Sequence, residues 1–303
     1  MSSSDLGSSD QESDSHKPHT LSLDNHCLGI DEAQLLVQGQ IQDAYFNYCQ
    51  EWDSFVALLG SLHSKPRLYH LIIVASEEDL PSLRIFLELL EPGLETLCLL
   101  VDFTHGEFSE YRYPISNELI LKHSSTLRHF GILERTGPSA DEASIVIGGD
   151  DFSFIKPILE ACNLKELSMP VDVEIRDGDD CIVGGDFDGL PLDNLETLYL
   201  VPEVWPSVVW SMGCDGRWRY PRMEFVLANF LRNVIGIRPN RPNLKYICLG
   251  GNADHNPDEF TYGIKWRRNR LVGRKTVWYP ILEEVSFGKL NKKLWPAFFS
   301  GEA

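Results

Sequence analysis

The chain has 303 residues, 43% of them apolar, which is enough to fill a substantial core and too many for a disordered protein. Its 45 acidic against 27 basic side chains give a formal charge of -18, a field that repels phosphate backbones and anionic lipid and so disfavours nucleic-acid and membrane partners. Seven cysteines, an odd number without a C-x-x-C pair, read as free thiols in a reducing compartment, so a cytoplasmic or nuclear location is expected.

Residues 1–20 are rich in Ser and Asp with almost nothing apolar to dock, and are predicted to be a disordered acidic tail. They show neither the cationic flank nor the apolar run of a signal peptide, and no later stretch reaches the ~18 apolar residues of a membrane span. Residues 21–65 carry apolar side chains at helical spacing, notably Trp52, Phe55, Val56, Leu58, Leu59 and Leu62, with Pro66 behind them. This stretch is predicted to be a helical N-terminal cap on a larger array over 66–303.

The array is visible as an internal repeat. RLYHLII, GLETLCL, TLRHFGI, NLKELSM, NLETLYL, NLKYICL and ILEEVSF share the frame L-x-x-[LIVF]-x-[LIMF], with first positions at Leu68, Leu94, Leu127, Leu164, Leu195, Leu244 and Leu282. Positions four and six share a strand face by the period of two, while position one turns inward on the approach to the strand. The intervening segments SEEDLPSLRIFLELLE, ISNELILKHS, DDFSFIKPILEAC and PRMEFVLANFLRNV have helical spacing. Strand, right-handed crossover, strand in repetition places every helix on one side of a parallel sheet. The predicted fold class is therefore α/β: a solenoid whose curved parallel sheet carries its helices on the convex side.

On this frame the chain resembles the leucine-rich-repeat family, and in particular the irregular leucine-rich proteins of fungi, many of which carry an F-box. The resemblance covers about residues 66–290. In that family the ninth position is usually Asn or Cys; here the row reads Ser76, Asp102, Arg135, Asp172, Glu203, Asn252 and Leu290. The gaps between first leucines, 26, 33, 37, 31, 49 and 38, imply an irregular arc with insertion loops. The resemblance implies a non-enzymatic scaffold that binds a protein partner, with a substrate-recognition adaptor of a ubiquitin ligase as the alternative. Leu21 to His63 contains no proline, although an F-box opens on a leucine-proline pair.

The side chains flanking position four would line the face away from the helices. At position three they are His70, Thr96, His129, Glu166, Thr197, Tyr246 and Glu284; at position five, Ile72, Cys98, Gly131, Ser168, Tyr199, Cys248 and Ser286. His129, Glu166, Tyr199 and Tyr246 are the candidate partner-binding residues of this face, with the two tyrosines as its anchor.

Charge supplies a second candidate. Residues 1–204 hold 37 acidic and 11 basic side chains, whereas 205–303 hold 8 and 16. Within the basic part, KWRRNRLVGRK from Lys265 to Lys275 places Trp266 among cations, so Trp266, Arg267, Arg268 and Arg270 could receive an acidic partner, or form a solvated loop that balances the acidic half. The acidic run Asp172 to Asp188 invites a metal-dependent enzyme as a third reading, but from Asp172 the sixth position of a calcium loop would be Asp177 rather than Gly, and the twelfth Val183 rather than Glu. A solvated insertion loop is predicted there. P-loop, G-x-S-x-G and H-E-x-x-H patterns are absent, so no catalytic, metal or cofactor residue is assigned and no cofactor is expected.

Overall fold

The computed structural model describes residues 19–103, 115–136, 152–171, 173–176, 180–183, 191–202, 211–212, 218–219, 242–249, 261–270 and 276–284. In chain order the elements are β1 (His19–Asp24), α1 (Ile30–Val37), β2 (Ile41–Asn47), α2 (Trp52–Ser61), β3 (His70–Ser76), α3 (Leu80–Leu89), β4 (Thr96–Phe103), α4 (Asn117–Leu121), β5 (His129–Thr136), α5 (Phe152–Ala161), β6 (Glu166–Val171), β7 (Val173–Arg176), β8 (Asp180–Val183), β9 (Thr197–Pro202), β10 (Ser211–Met212), β11 (Trp218–Arg219), β12 (Tyr246–Leu249), β13 (Thr261–Arg270) and β14 (Thr276–Glu284).

Ten of these strands form one sheet in the order β1-β2-β3-β4-β5-β6-β9-β12-β13-β14. From β1 to β12 the neighbours run parallel, and β13 and β14 then run antiparallel to their neighbours. The fold is thus mixed α/β with a largely parallel sheet and helices between its strands.

The six-residue frame sets the core. At position one Leu68, Leu94, Leu127, Leu164, Leu195 and Leu244, and at position four Leu71, Leu97, Phe130, Leu167, Leu198 and Ile247, are all at most 1% exposed. The position-four residues pair strand to strand in one unbroken row. Leu36 of α1, Phe55 of α2, Phe86 of α3, Ile120 of α4 and Ile158 of α5 belong to the same apolar cluster, so these helices cover this face. At the N-terminal end the cluster is aromatic: Phe46, Trp52, Phe55 and Phe86 meet in edge and tilted contacts with ring centroids 5.3 to 6.4 Å apart.

Register has its own device. The carbonyl oxygen of Tyr69, at position two, accepts the N–H groups of both Glu95 and Thr96, and the carbonyls of Glu95, Arg128, Lys165 and Glu196 each accept the two equivalent N–H groups of the next unit.

Three expectations are corrected. Residues 21–65 are not a purely helical cap: β1 and β2 lie there, and they continue the parallel sheet. Ile41, Ala44 and Phe46 occupy the first, fourth and sixth frame positions without a single leucine, which hid this unit. The seventh copy of the frame is not a parallel strand, since Leu282 sits in β14 opposite Ile264. An apolar spacing encodes a face and not a direction. Lys265 to Arg270 is not a loop but most of β13, because Ile264 and Trp266 alternate with Lys265 and Arg267 as a sheet requires.

The helical segments SEEDLPSLRIFLELLE, ISNELILKHS and DDFSFIKPILEAC contain α3, α4 and α5. In the acidic insertion β7 and β8 pair as an antiparallel hairpin. The tail residues 1–18, most of the acidic aspartates, PRMEFVLANFLRNV, and Val285 and Phe287 of the last frame lie outside the described residues.

The end of α3 and the turn after it are tied to the next unit by Lys122, half-buried, and His123, buried. Lys122 donates through Nζ to the carbonyls of Leu87, Leu90 (3.0 Å) and Glu88 (3.3 Å), which close the C-terminal end of α3. His123, fully buried, accepts at Nδ1 the backbone N–H of Gly93 at 3.1 Å and of Leu94 at 3.3 Å, so the neutral ring carries its proton on Nε2. Burial, and after it the neighbouring Lys122 ammonium, lowers the His123 pKa to about 4.

Two outcomes follow. Leu→Ala at Leu97, Leu167 or Leu198 should each cost about 2–5 kcal/mol in urea unfolding, and normal stability in all three variants would refute the shared core. For His123, the unfolded chain takes up a proton below its ordinary pKa that the folded chain refuses until about pH 4. This contribution is complete above ~6.5 and is lost as pH falls through that window, by up to ~3 kcal/mol. Urea titrations from pH 7 to 4 should show a shallower loss in His123→Gln than in the parent protein.

Candidate functional site

The face opposite the helices is built from positions three and five. Position five is mostly apolar and covered: Cys98, Tyr199 and Cys248 are buried, and they form one cluster with Ile72, Val74 and Leu100, against which Tyr45, Tyr48 and Tyr246 pack; Ser168, also buried, is its polar member. Burial, reinforced by Glu166, raises the pKa of Cys98 and of the Tyr199 hydroxyl well above their ordinary values, so both stay protonated.

Position three is polar. In register it reads Thr20, Asp43, His70, Thr96, His129, Glu166, Thr197 and Tyr246 on successive strands from β1 to β12. Neighbours in this row interact across the strands. Thr20 Oγ1 lies 3.5 Å from Asp43 Oδ2, Asp43 Oδ1 4.0 Å from His70 Nε2, and His70 Nδ1 2.9 Å from Thr96 Oγ1. Two strands on, His129 Nδ1 lies 3.2 Å from Glu166 Oε2, close enough for an ion pair yet out of line for a hydrogen bond. The side chains of His70 and Asp43 are 38% and 33% exposed, those of His129 and Glu166 23% and 14%. The row is therefore a polar strip along the rim of a covered apolar face.

The Asp43, His70, Thr96 sequence has the order of a carboxylate, imidazole and hydroxyl relay. Thr96 is 0% exposed, however, and its hydroxyl cannot reach a substrate. The chain of contacts positions side chains on the strip. Among the described residues, no group of three His, Cys, Asp or Glu side chains stands close enough to hold a metal ion, and no helix is long and apolar enough to cross a membrane.

The residues singled out from sequence are divided by this geometry. His129 and Glu166 come together, and Tyr246 stands half-buried on the same row. Tyr199 does not serve as an exposed anchor: it is 1% exposed and its ring belongs to the covered cluster. Trp266 is not part of a binding loop either, since it is buried in the helix-side core and donates Nε1–H to the Leu244 carbonyl at 2.8 Å. Arg267 and Arg268 are exposed on β13, and Arg270 ends that strand opposite Thr276. Alternation about Trp266 puts Arg267 on the face of the polar strip and Arg268 on the helix side. Glu166 and β13 are three strand steps apart, about 14 Å at ~4.8 Å per step, so the arginines and the His129/Glu166 pair do not form one site.

Asp43, His70 and Thr96 were missed as site residues. The signal was present for the last two as position-three residues, but Asp43 belongs to the leucine-free unit on β2. A further charge row stands at position two, where Glu196 contacts Lys165 at 3.3 Å and also pairs with Lys245; the hydrogen bond from Lys245 is the main cause that holds the Glu196 carboxyl below its ordinary pKa.

If the Thr96 hydroxyl orients His70, Thr96→Val should cost about 1–2 kcal/mol in urea unfolding, and a double-mutant cycle with His70→Ala should return most of that cost as coupling. The misaligned, partly exposed His129/Glu166 pair should give a coupling below about 1 kcal/mol.

No family model, curated protein or solved structure matches the chain, so its function is argued from this geometry.

Proposed function

We propose that the chain is a non-enzymatic recognition scaffold of leucine-rich-repeat type that takes a protein partner along the position-three strip. The observation that carries this reading is the row itself: His70, His129, Glu166 and Tyr246 stand in register on one face, each partly exposed and spaced by the strand separation. Parallel strands in sequential order, joined by helices on one side, support the solenoid part of the proposal. The buried position-one and position-four rows agree with the leucine-rich frame. So does Cys49, which falls at the ninth position of the β2 unit, where its buried thiol lies 3.7 Å from the Leu23 carbonyl and 3.9 Å from that of Asn47.

The ubiquitin-ligase adaptor remains the second member of this reading, and it needs a linker-binding module. Residues 21–65 form sheet strands and their helices, so that module would have to be sought outside this stretch. The metal-dependent enzyme draws no support from the strip, whose buried hydroxyl is inaccessible.

The test is affinity purification with the full chain and with a His70→Ala, His129→Ala, Glu166→Ala, Tyr246→Ala variant, alongside Arg267→Ala and Arg268→Ala. A partner held by the parent and by the arginine variant, and lost by the strip variant at unchanged melting temperature, supports the strip. Loss confined to the arginine variant and erased by added salt moves the site to β13.

A further inference from the structure

The two ends of the sheet are finished differently. On β14 Pro280 has no N–H to give a further strand. At the other end β1 is the outermost strand among the described residues, and its run Thr20 to Asp24 contains neither the proline nor the lysine that protects an edge. Its outward backbone groups are a template for another strand.

The faces beside that edge set what such a strand must carry. Thr20, Ser22 and Asp24 stand in register with Asp43, Tyr45 and Asn47 of β2. The first three are exposed and the other three half-buried, whereas Ile72 and Val74, next on the same face, are buried, so the covering of this face stops short of β1 and β2. Asn47 Nδ2 and Asn25 Nδ2 donate to Asp24 Oδ1 at 2.7 and 3.1 Å, which holds the carboxylate in place without neutralising it. Among the described residues neither Asp24 nor Asp43 pairs with a lysine or arginine; Asp43 has His70 Nε2 at 4.0 Å. Residues 19–64 hold Asp24, Asp31, Glu32, Asp43, Glu51 and Asp53 but no Lys or Arg, so the first two units carry no such cation of their own. On the helix side of β1, Leu21 and Leu23 are only half-buried against the core.

We propose that the outer edge of β1 receives an extended segment of a protein partner in which Lys or Arg alternates with apolar residues. Main-chain pairing with β1 supplies the docking, and the period of two sorts the side chains. Apolar residues continue the row of Leu21 and Leu23, while cations lie over the face of Asp24, Asp43 and Tyr45. An added strand stands about 5 Å from β1 and about 10 Å from β2, so Asp24 is met directly, and Asp43 and Tyr45 by long stems crossing Thr20 and Ser22. Tyr45 offers the aromatic neighbour that a cation favours. Charge chooses among occupants. A second copy would bring two anionic ends together, and residues 1–18, with Asp5, Asp10, Glu12 and Asp14 against Lys17, have the wrong sign. The edge is a surface separate from His129, Glu166 and Tyr246, and binding there does not depend on the recognition-scaffold reading.

The experiment uses the full chain and fluorescein-labelled hexapeptides followed by anisotropy: Val-Lys-Val-Lys-Val-Lys, the block order Val-Val-Val-Lys-Lys-Lys, and Val-Glu-Val-Glu-Val-Glu. The alternating lysine peptide should bind about tenfold or more tightly than the other two. Of two versions methylated on alternate peptide nitrogens, the one whose methyl groups face β1 should lose binding and the other keep it. Asp24→Asn and Asp43→Asn, which retain an Oδ1 acceptor, should each weaken binding about two- to fivefold at unchanged melting temperature, and added salt should shrink the difference. Equal affinity of the alternating and block peptides, or of the two methylated versions, overturns strand addition, and tighter binding of the glutamate peptide overturns the choice of a basic segment. Dimers in light scattering that Leu21→Lys dissociates would assign the edge to a second copy, and a tenfold gain of affinity on deleting residues 1–18 would assign it to that stretch; either result overturns the proposal.

Discussion

Five strands of the parallel sheet, β4, β5, β6, β9 and β12, are held in place before they begin. Two successive N–H groups at the start of each converge on one carbonyl, that of the position-two residue in the preceding unit: Tyr69, Glu95, Arg128, Lys165 and Glu196 in turn. A strand displaced by one residue would leave one of those donors unmatched and would turn every side chain to the other face. That pin explains why position four runs unbroken from Leu71 to Ile247 although the segments between the strands differ widely in length. Loop length adds only slowly to the entropy of closure, so unequal insertions are tolerated once register is fixed.

From that register the two faces acquire different chemistry. One is filled by leucines and by the helices packed on them. On the other, position five is buried as well, which leaves position three as the accessible rim. Placing His70 against Thr96 and His129 against Glu166 is a consequence of register alone, because residues of equal frame position stand side by side. The same rule leaves Ser168 opposite Gly131, which brings no side chain to this face.

The sheet ends differently from the way it grows. After β12 the chain reverses, and β13 and β14 pair along nearly their whole lengths as an antiparallel hairpin. Pro280 on β14 has no N–H to offer a further strand, and this blunts the edge against pairing with another chain. Lys265 pairs with Glu283 across the hairpin at 2.9 Å. The cations of this region are thus partly engaged within the hairpin, while Trp266 anchors it to the core through Leu244. The basic stretch is first of all a strand.

The sequence by itself determined the α/β character, the one-sided placement of helices and the six parallel strands from β3 to β12, because burial of a strand face imposes a period of two that leucines make conspicuous. It also marked His129, Glu166 and Tyr246 as neighbours in one row. It did not reveal β1 or β2; in β2 Ala44 and Phe46 fill the fourth and sixth positions without the leucine signature, and hence Asp43 was missed. It could not give direction, since Leu282 satisfies the frame equally well in an antiparallel strand. Nor could it separate exposed from covered members of one face. Tyr199 and Tyr246 look equivalent along the chain, yet one is sealed in the Cys98 and Cys248 cluster and the other stands at the rim. Spacing is a local property that each segment carries, whereas strand direction, covering and the meeting of His129 with Glu166 depend on residues tens of positions away, and only the packed sheet decides them.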